Sequence, residues 1–215
     1  MVSVYLKALI ITIVLFVGNY FLVKYWDDSR AADLSAQVSK LEEDVQSMNA
    51  LLLYTSVYND STAACPLLLS QVTTQQAHLY SLFGELQKSS QENVFTDTST
   101  AKRSFVISNL QFWLYLQKLE ATCGSTGIKS ILYFYNDQGD CVECRAQAQV
   151  LNGIAQDCPQ VRVFAVAYDS NLDVVKALDL KFGINSVPAL VINGTVYKSL
   201  QPRETVASLV DCKVS

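Results

Sequence analysis

A chain of 215 residues allows one domain with additions or two small domains. Its 16 Lys and Arg are outnumbered by 20 Asp and Glu, and the net charge of −4 gives no sign of a nucleic-acid binder. Half of the residues (50%) are hydrophobic and only 17% are charged, and the apolar excess is concentrated at the front of the chain.

Val4 to Val23 is almost entirely apolar, with Leu9-Ile10-Ile11 and Ile13-Val14-Leu15-Phe16-Val17 at its centre. Twenty helical residues span roughly 30 Å, the thickness of a bilayer's hydrocarbon core. Lys7 is near enough to the end to snorkel, and Tyr20, Tyr25 and Trp26 suit an aromatic belt. A cleaved signal peptide is the alternative. However, Asn19-Tyr20-Phe21 and Lys24-Tyr25-Trp26 stand where a small-x-small cleavage site would be, which favours an uncleaved anchor over residues 1–26. Basic residues flank the run on both sides, so charge leaves the orientation open. The cysteines speak to it instead. Six of them, Cys65, Cys123, Cys141, Cys144, Cys158 and Cys212, in an anchored chain fit an oxidising, extracytoplasmic compartment. The expectation is a single-pass protein of the cell membrane, with its N-terminus inside and its bulk outside.

Residues 27–124 read as helical. From Arg30 to Leu53 there is no glycine, and Ala31, Leu34, Val38, Leu41, Val45, Met48 and Leu52 recur in steps of three and four, a heptad seam. Such a seam fits a coiled-coil-like stalk that forms a homodimer, or equally an amphipathic helix packed on its own neighbours. Asn59-Asp60-Ser61-Thr62 reads as a turn. Cys65-Pro66 then opens a second helix to about Lys88, with Pro66 suited to a first turn. Ser89 to Ser99 is polar and reads as a loop, and a third helix runs from about Thr100 to Thr122, ended by Gly124. If the second and third helices form an antiparallel hairpin, Cys65 and Cys123 fall at the same end and a disulfide between them follows; two buried free thiols are the alternative.

From 125 to 215 the pattern changes to alternating strands and helices. Lys129–Asn136 reads as a strand, Cys141–Gln156 as a helix, and Val161–Ala167 as a strand. Leu172–Phe182 reads as a helix capped by Asn171 or Ser170. Ala189–Ile192 and Val196–Leu200 are strands joined by Asn193-Gly194, a strong hairpin-turn signal, and Arg203–Cys212 is a last helix after Pro202. The fold class is therefore α/β, with the order β-α-β-α-β-β-α. At the first strand-to-helix junction stands Cys141-Val142-Glu143-Cys144. Two thiols at this spacing can close a disulfide with each other, and a helix N-terminus stabilises the reactive thiolate. A zinc site would need two further ligands, and there is no second C-x-x-C, so neither a metal nor a cofactor is expected.

Residues Ile131–Tyr135 leading into Cys141-Val142-Glu143-Cys144, together with Phe182-Gly183-Ile184-Asn185-Ser186-Val187-Pro188-Ala189-Leu190-Val191-Ile192-Asn193-Gly194, resemble the thioredoxin-like superfamily. The resemblance covers roughly Ile128 to Ser215. It implies that Cys141 is the nucleophilic thiol, Cys144 the resolving thiol, and Val187–Pro188 a cis bond lying against the dithiol. The Val187 backbone would then pair with an extended substrate by strand addition. It also implies that the first and last helices of this domain cover one sheet face, so that Cys158 and Cys212 meet at the end opposite the dithiol; two separate thiols are the alternative. The sequence departs from the family pattern in several places. Gly139-Asp140 replaces a tryptophan before the first cysteine, and Val142-Glu143 replaces glycine-proline or proline-histidine. Tyr133 and Phe134 stand where a buried aspartate is common. The N-terminal strand-helix pair is absent, leaving the third middle helix to cover the sheet.

Asp137, Asp140 and Glu143 surround the dithiol in sequence. Each opposes a nearby thiolate, while Arg145 offsets one charge and the carboxylates also suit the helix N-terminus. A moderately reducing or isomerase-like potential is expected. His78, the one histidine, reads as a solvated helix residue. Asn59-Asp60-Ser61 and Asn193-Gly194-Thr195 match the glycosylation sequon weakly, and the second is explained by turn chemistry. Two functions are expected to compete. One is a thiol-disulfide oxidoreductase acting on cysteine-containing exported proteins or on a membrane or soluble redox partner. The other is a non-enzymatic scaffold whose Cys141–Cys144 bridge is static.

Overall fold

A computed structural model of the protein describes residues 2–58, 61–92, 99–137 and 139–213. The apolar run and the heptad seam belong to one unbroken helix, α1 (Val2–Tyr58), of 57 residues. It contains no proline, and its one glycine, Gly18, lies within the apolar run, so nothing interrupts the ladder of backbone hydrogen bonds. Residues 3–26 are exposed on every side, and this stretch is long and apolar enough to cross a membrane.

At Asp27 one face of α1 becomes buried. Leu34, Val38, Leu41, Val45 and Met48 are at most 3% exposed, and Leu52 is 9% exposed. The seam is covered from within the chain, by α2 (Ser61–Glu92) and α3 (Ser99–Cys123), through Leu68, Leu82, Leu86, Leu110 and Leu116 among others. A homodimer formed along the same seam would have to displace these helices. The Gln37 amide donates to the Glu85 carboxylate at 3.3 Å and sets the antiparallel register of α1 and α2. A disulfide joins Cys65 near the start of α2 to Cys123 at the end of α3, with Cα atoms 5.8 Å apart.

Several boundaries differ from the sequence expectation. Helix α2 begins at Ser61, so Ser61-Thr62 is helix rather than turn, and Asn59 and Asp60 lie outside the described residues. Pro66 is therefore more than one turn inside the helix instead of in its first turn, where it leaves the Thr62 carbonyl without its backbone donor. At the other end α2 runs on through Ser89–Glu92, where a loop is expected, and residues 93–98 lie outside the described residues. Helix α3 ends as predicted, with Gly124 at φ +80° donating to the Glu120 carbonyl.

Beyond α3 lie β1 (Lys129–Tyr135), α4 (Val142–Asp157), β2 (Val161–Ala167), a single 3-10 turn (Tyr168–Ser170), α5 (Asp173–Phe182), β3 (Ala189–Ile192), β4 (Thr195–Lys198) and α6 (Arg203–Leu209). The four strands form one mixed sheet in the order β2-β1-β3-β4. β1 and β2 are parallel, joined by the α4 crossover, and β3 is antiparallel to both of its neighbours. Alternation along the strands divides two cores. Leu132, Phe134, Phe164, Val166 and Val191 face α3 and α5 in a core continuous with the helical bundle. Ile131, Tyr133, Ala165, Leu190 and Ile192 face α4 and α6 in the second.

Asn193 (φ +50°) and Gly194 (φ +78°) make the two-residue turn that the Asn-Gly pair predicts. Strand β4 stops at Lys198, two residues short of the expected Leu200, because Ser199 adopts φ +66° and donates its N–H to the Pro188 carbonyl. Helix α5 is entered from Leu172 without a side-chain cap, since Asn171 (φ +54°) closes the 3-10 turn instead. Helix α6 ends at Leu209, and the chain turns through Asp211 (φ +55°) to bring Cys212 to Cys158, their Cα atoms 6.0 Å apart in a disulfide.

Helix α3 takes the sheet face that the sequence leaves without a strand-helix pair. It runs antiparallel to β1, with Gln117 bonded to Ser130 (3.2 Å) near one end and Lys102 to Asp137 (3.1 Å) near the other. Between them, Asn109 donates to the Ala165 carbonyl at 2.8 Å and Phe112 packs on Phe164. In a chain of this topology the Cys65–Cys123 bridge closes a loop of 58 residues, and loop-closure entropy values it at about 4 kcal/mol. Replacing both cysteines with alanine is expected to lower stability by about 2–5 kcal/mol, read by chemical unfolding of the detergent-solubilised chain under non-reducing conditions.

Candidate functional site

β1 delivers the chain to the site. Its last residues, Phe134 and Tyr135, pair with Ala189 of β3 and Ala167 of β2, so the strand ends in the middle of the sheet. The chain then turns through Gly139, whose φ of +103° suits glycine and strains other residues. Cys141 follows as the N-cap of α4, with extended backbone (φ −98°, ψ 90°). It is disulfide-bonded to Cys144, Cα to Cα 5.2 Å. The Cys144 N–H donates to Cys141 Sγ at 3.2 Å, so the sulfur occupies the place that a capping hydroxyl or carboxylate usually takes. The two sulfurs are unequal. Cys144 is 4% exposed, on the inner face of α4, while Cys141 is partly open to solvent.

The first-turn amides of α4 and its dipole favour negative charge on Cys141 once the bridge is opened. The nearby carboxylates are largely matched. Asp140 pairs with Arg145 at 2.6 Å, and Asp137 pairs with Lys102 from α3 at 3.1 Å. Glu143 stands exposed in the first turn of α4. The sequence accounts for Arg145 but not for Lys102, which arrives from 35 residues earlier.

Val187–Pro188 is a cis bond immediately before β3. Because Ala189 is in register with Phe134, the Val187-Pro188 pair lies at the end of the sheet from which β1 runs on to Cys141. Cys158 and Cys212 lie in the second core, and Cys65 and Cys123 join α2 to α3, so these four cysteines are separate from the dithiol. All six cysteines are paired. Among the described residues no group of three or more His, Cys, Asp or Glu is placed to hold a metal ion. The His78 side chain lies outside the described residues.

No protein-family model matches the chain, and no curated protein does either. The chemistry open to the site follows from its geometry: a disulfide with one accessible sulfur at a helix start, able to accept a thiolate at Cys141 and release Cys144 as the leaving group.

Two supports are not evident from the sequence motif. The Tyr133 hydroxyl, on β1, donates to the Cys144 carbonyl at 2.7 Å and ties the first turn of α4 to the sheet. Gln147, fully buried, accepts from the Gln201 N–H at 2.6 Å and fastens α4 to the segment before α6. Gln147 leaves a trace in the sequence, because Cys144, Gln147, Leu151, Ile154 and Cys158 recur in steps of three and four. A glutamine in that apolar seam needs a buried partner.

Burial pushes the Tyr133 and Tyr135 hydroxyls well above their ordinary pKa, and the Asp137 charge adds to the effect at Tyr135. Since folding holds their protons more tightly than the unfolded chain does, these tyrosines leave stability unchanged below pH 10.0, their ordinary value, and destabilise the fold as pH rises beyond it. Ultraviolet titration is expected to show part of the tyrosine absorbance appearing only with alkaline unfolding. Tyr133→Phe keeps the ring and removes the hydroxyl, and is expected to cost about 0.5–1.5 kcal/mol in denaturant unfolding.

Proposed function

We propose that this chain is a membrane-anchored thiol-disulfide oxidoreductase with a thioredoxin-like domain over residues 125–215. The observation that carries the reading is the Cys141–Cys144 disulfide at the N-cap of α4, with Cys141 accessible, Cys144 buried and Val187-Pro188 at the same end of the sheet. The β-α-β-α-β-β-α order around a mixed sheet supports the thioredoxin-like assignment. In this reading Cys141 forms the mixed disulfide with a protein substrate and Cys144 resolves it. Val187 stands just outside the β3 ladder, where its backbone can pair with an extended substrate segment.

The exposed apolar stretch of α1 supports a single-pass anchor. Three disulfides favour an oxidising compartment for the domain they hold, which supports an extracytoplasmic C-terminal bulk. The site lacks an excess of cations beside Cys141: Lys102 and Arg145 are each engaged by a carboxylate, and Glu143 remains. A thiolate here is less stabilised than in a strong oxidant, so the reduction potential is expected to lie below about −120 mV when equilibrated against glutathione. In cells, Cys144→Ala is expected to accumulate mixed disulfides at Cys141, visible as reducible high-mass species on non-reducing gels, and Cys141→Ala to abolish them. No trapped species under either reducing or oxidising conditions would favour a static bridge.

A further inference from the structure

The register of the helices fixes where the dithiol stands relative to the proposed anchor. Helix α1 leaves the apolar stretch at Trp26, and at Asp27, 8% exposed, it is already packed within the bundle. No spacer separates the two. The Gln37–Glu85 bond puts those residues level on α1 and α2. The Cys65–Cys123 bridge levels the start of α2 with the end of α3. Lys102 lies as many residues before Cys123 as Leu86 lies after Cys65, so Lys102 stands near Leu86 and hence near Ala36. Ala36 is about ten residues past Trp26, a rise of roughly 15 Å along the helix.

Lys102 pairs with Asp137, at the mouth of the loop that leads into Cys141. β1 runs antiparallel to α3, from Ser130 beside Gln117 down to Asp137 beside Lys102. The sheet end that bears Cys141, Cys144 and Val187-Pro188 is therefore the end that points back along α1 toward Trp26. The Cys65–Cys123 bridge lies at the far end of the bundle. α4 carries the chain away from the dithiol to Cys158, so the Cys158–Cys212 bridge also points away from the membrane.

From this we propose that the redox partner is a cysteine pair carried at the bilayer surface by an integral membrane protein, rather than a folded soluble protein. The inference rests on the proposed oxidoreductase function and names its partner class. The magnitudes favour it. A soluble domain of 100 residues has a radius of gyration of about 13 Å, so its width is more than twice the roughly 15 Å available beneath the site. Headgroups take about 5–7 Å of that height, and the remaining roughly 8–10 Å admits no more than a single extended surface segment of a membrane protein, about 10 Å thick. The exchange balances without another reagent. A partner thiolate attacks Cys141 Sγ, the Cys141–Cys144 bond breaks and Cys144 leaves as thiolate. The partner's second thiolate then attacks the partner sulfur of the mixed disulfide and releases Cys141. Two electrons pass to the chain, and the two protons given up by the partner thiols end on Cys141 and Cys144.

The test uses the full, oxidised chain co-reconstituted in phosphatidylcholine vesicles with leucine-rich membrane-spanning peptides that bear a C-x-x-C dithiol. In one peptide the dithiol lies just outside the headgroups; in the other a helical spacer raises it by about 40 Å. A soluble peptide with the same dithiol is the control, and alkylation of Cys141 and Cys144 reads the transfer. The near dithiol is expected to be oxidised at least tenfold faster than the raised one. Insertion of fourteen helix-forming residues between Trp26 and Asp27, which lifts the intact bundle by about 21 Å, is expected to remove or reverse that preference. Equal rates for the two membrane peptides, or a preference unmoved by the insertion, would overturn the proposal while leaving the oxidoreductase reading standing if the soluble peptide reacts. Failure of all three peptides to react would overturn both.

Discussion

The packing of α3 on both of its sides is the constraint on which the rest of the structure depends. On one side Leu110 and Leu116 join the bundle core with Leu41, Val45 and Met48 of α1. On the other, Phe112 meets Phe164, and Asn109 holds the carbonyl of Ala165 on the edge strand. A single apolar core therefore runs from α1 to β3. Without α3 the sheet face would keep only α5 over its apolar residues, and α1 would keep only α2 over its seam. Because one helix serves both halves, the position of the dithiol relative to the N-terminal helix is fixed by side-chain interdigitation and not by a tether.

The same arrangement accounts for the electrostatics of the site. A C-x-x-C flanked by Asp137, Asp140 and Glu143 reads in isolation as an acidic and unfavourable place for a thiolate. The fold brings Lys102 to Asp137 and lets Arg145 reach Asp140. Both pairs are partly exposed and contribute little to stability, on the order of 0–1 kcal/mol each. Their effect would be on a Cys141 thiolate, which would face two matched pairs, the amides of the α4 first turn and Glu143, as the proposed intermediate redox poise requires.

Much of this was legible in the sequence because it is local or periodic. The steps of three and four from Leu34 to Leu52 predict a buried stripe, and every one of those residues is buried. The Asn193-Gly194 turn, the Val161–Ala167 strand and the helix end at Gly124 follow from the conformations those residues prefer. What covers the stripe was not legible, since a heptad pattern is the same whether the partner is a second copy or the next helix of the chain. Pro66 was read as a first-turn residue because proline favours that place, but α2 begins five residues before it. The Tyr133 bond to Cys144 and the Lys102 bond to Asp137 depend on register between distant elements, which no local pattern encodes. Gln147 falls between these cases, since its place in an apolar seam signals a buried partner without saying which.

The unbroken course of α1 has a mechanical consequence. A helix with no proline, and with no glycine past Gly18, has nowhere to bend between its apolar stretch and the bundle. If the apolar stretch is the proposed anchor, it would adjust to a thinner or thicker bilayer by tilting, over a range of roughly 0–40°. Here the tilt is not absorbed at the surface but passes undiminished into the bundle. At a height of roughly 15 Å, each 20° of tilt carries the dithiol about 5 Å sideways. Under the proposed function, lipid composition would thereby control which thiols Cys141 can reach.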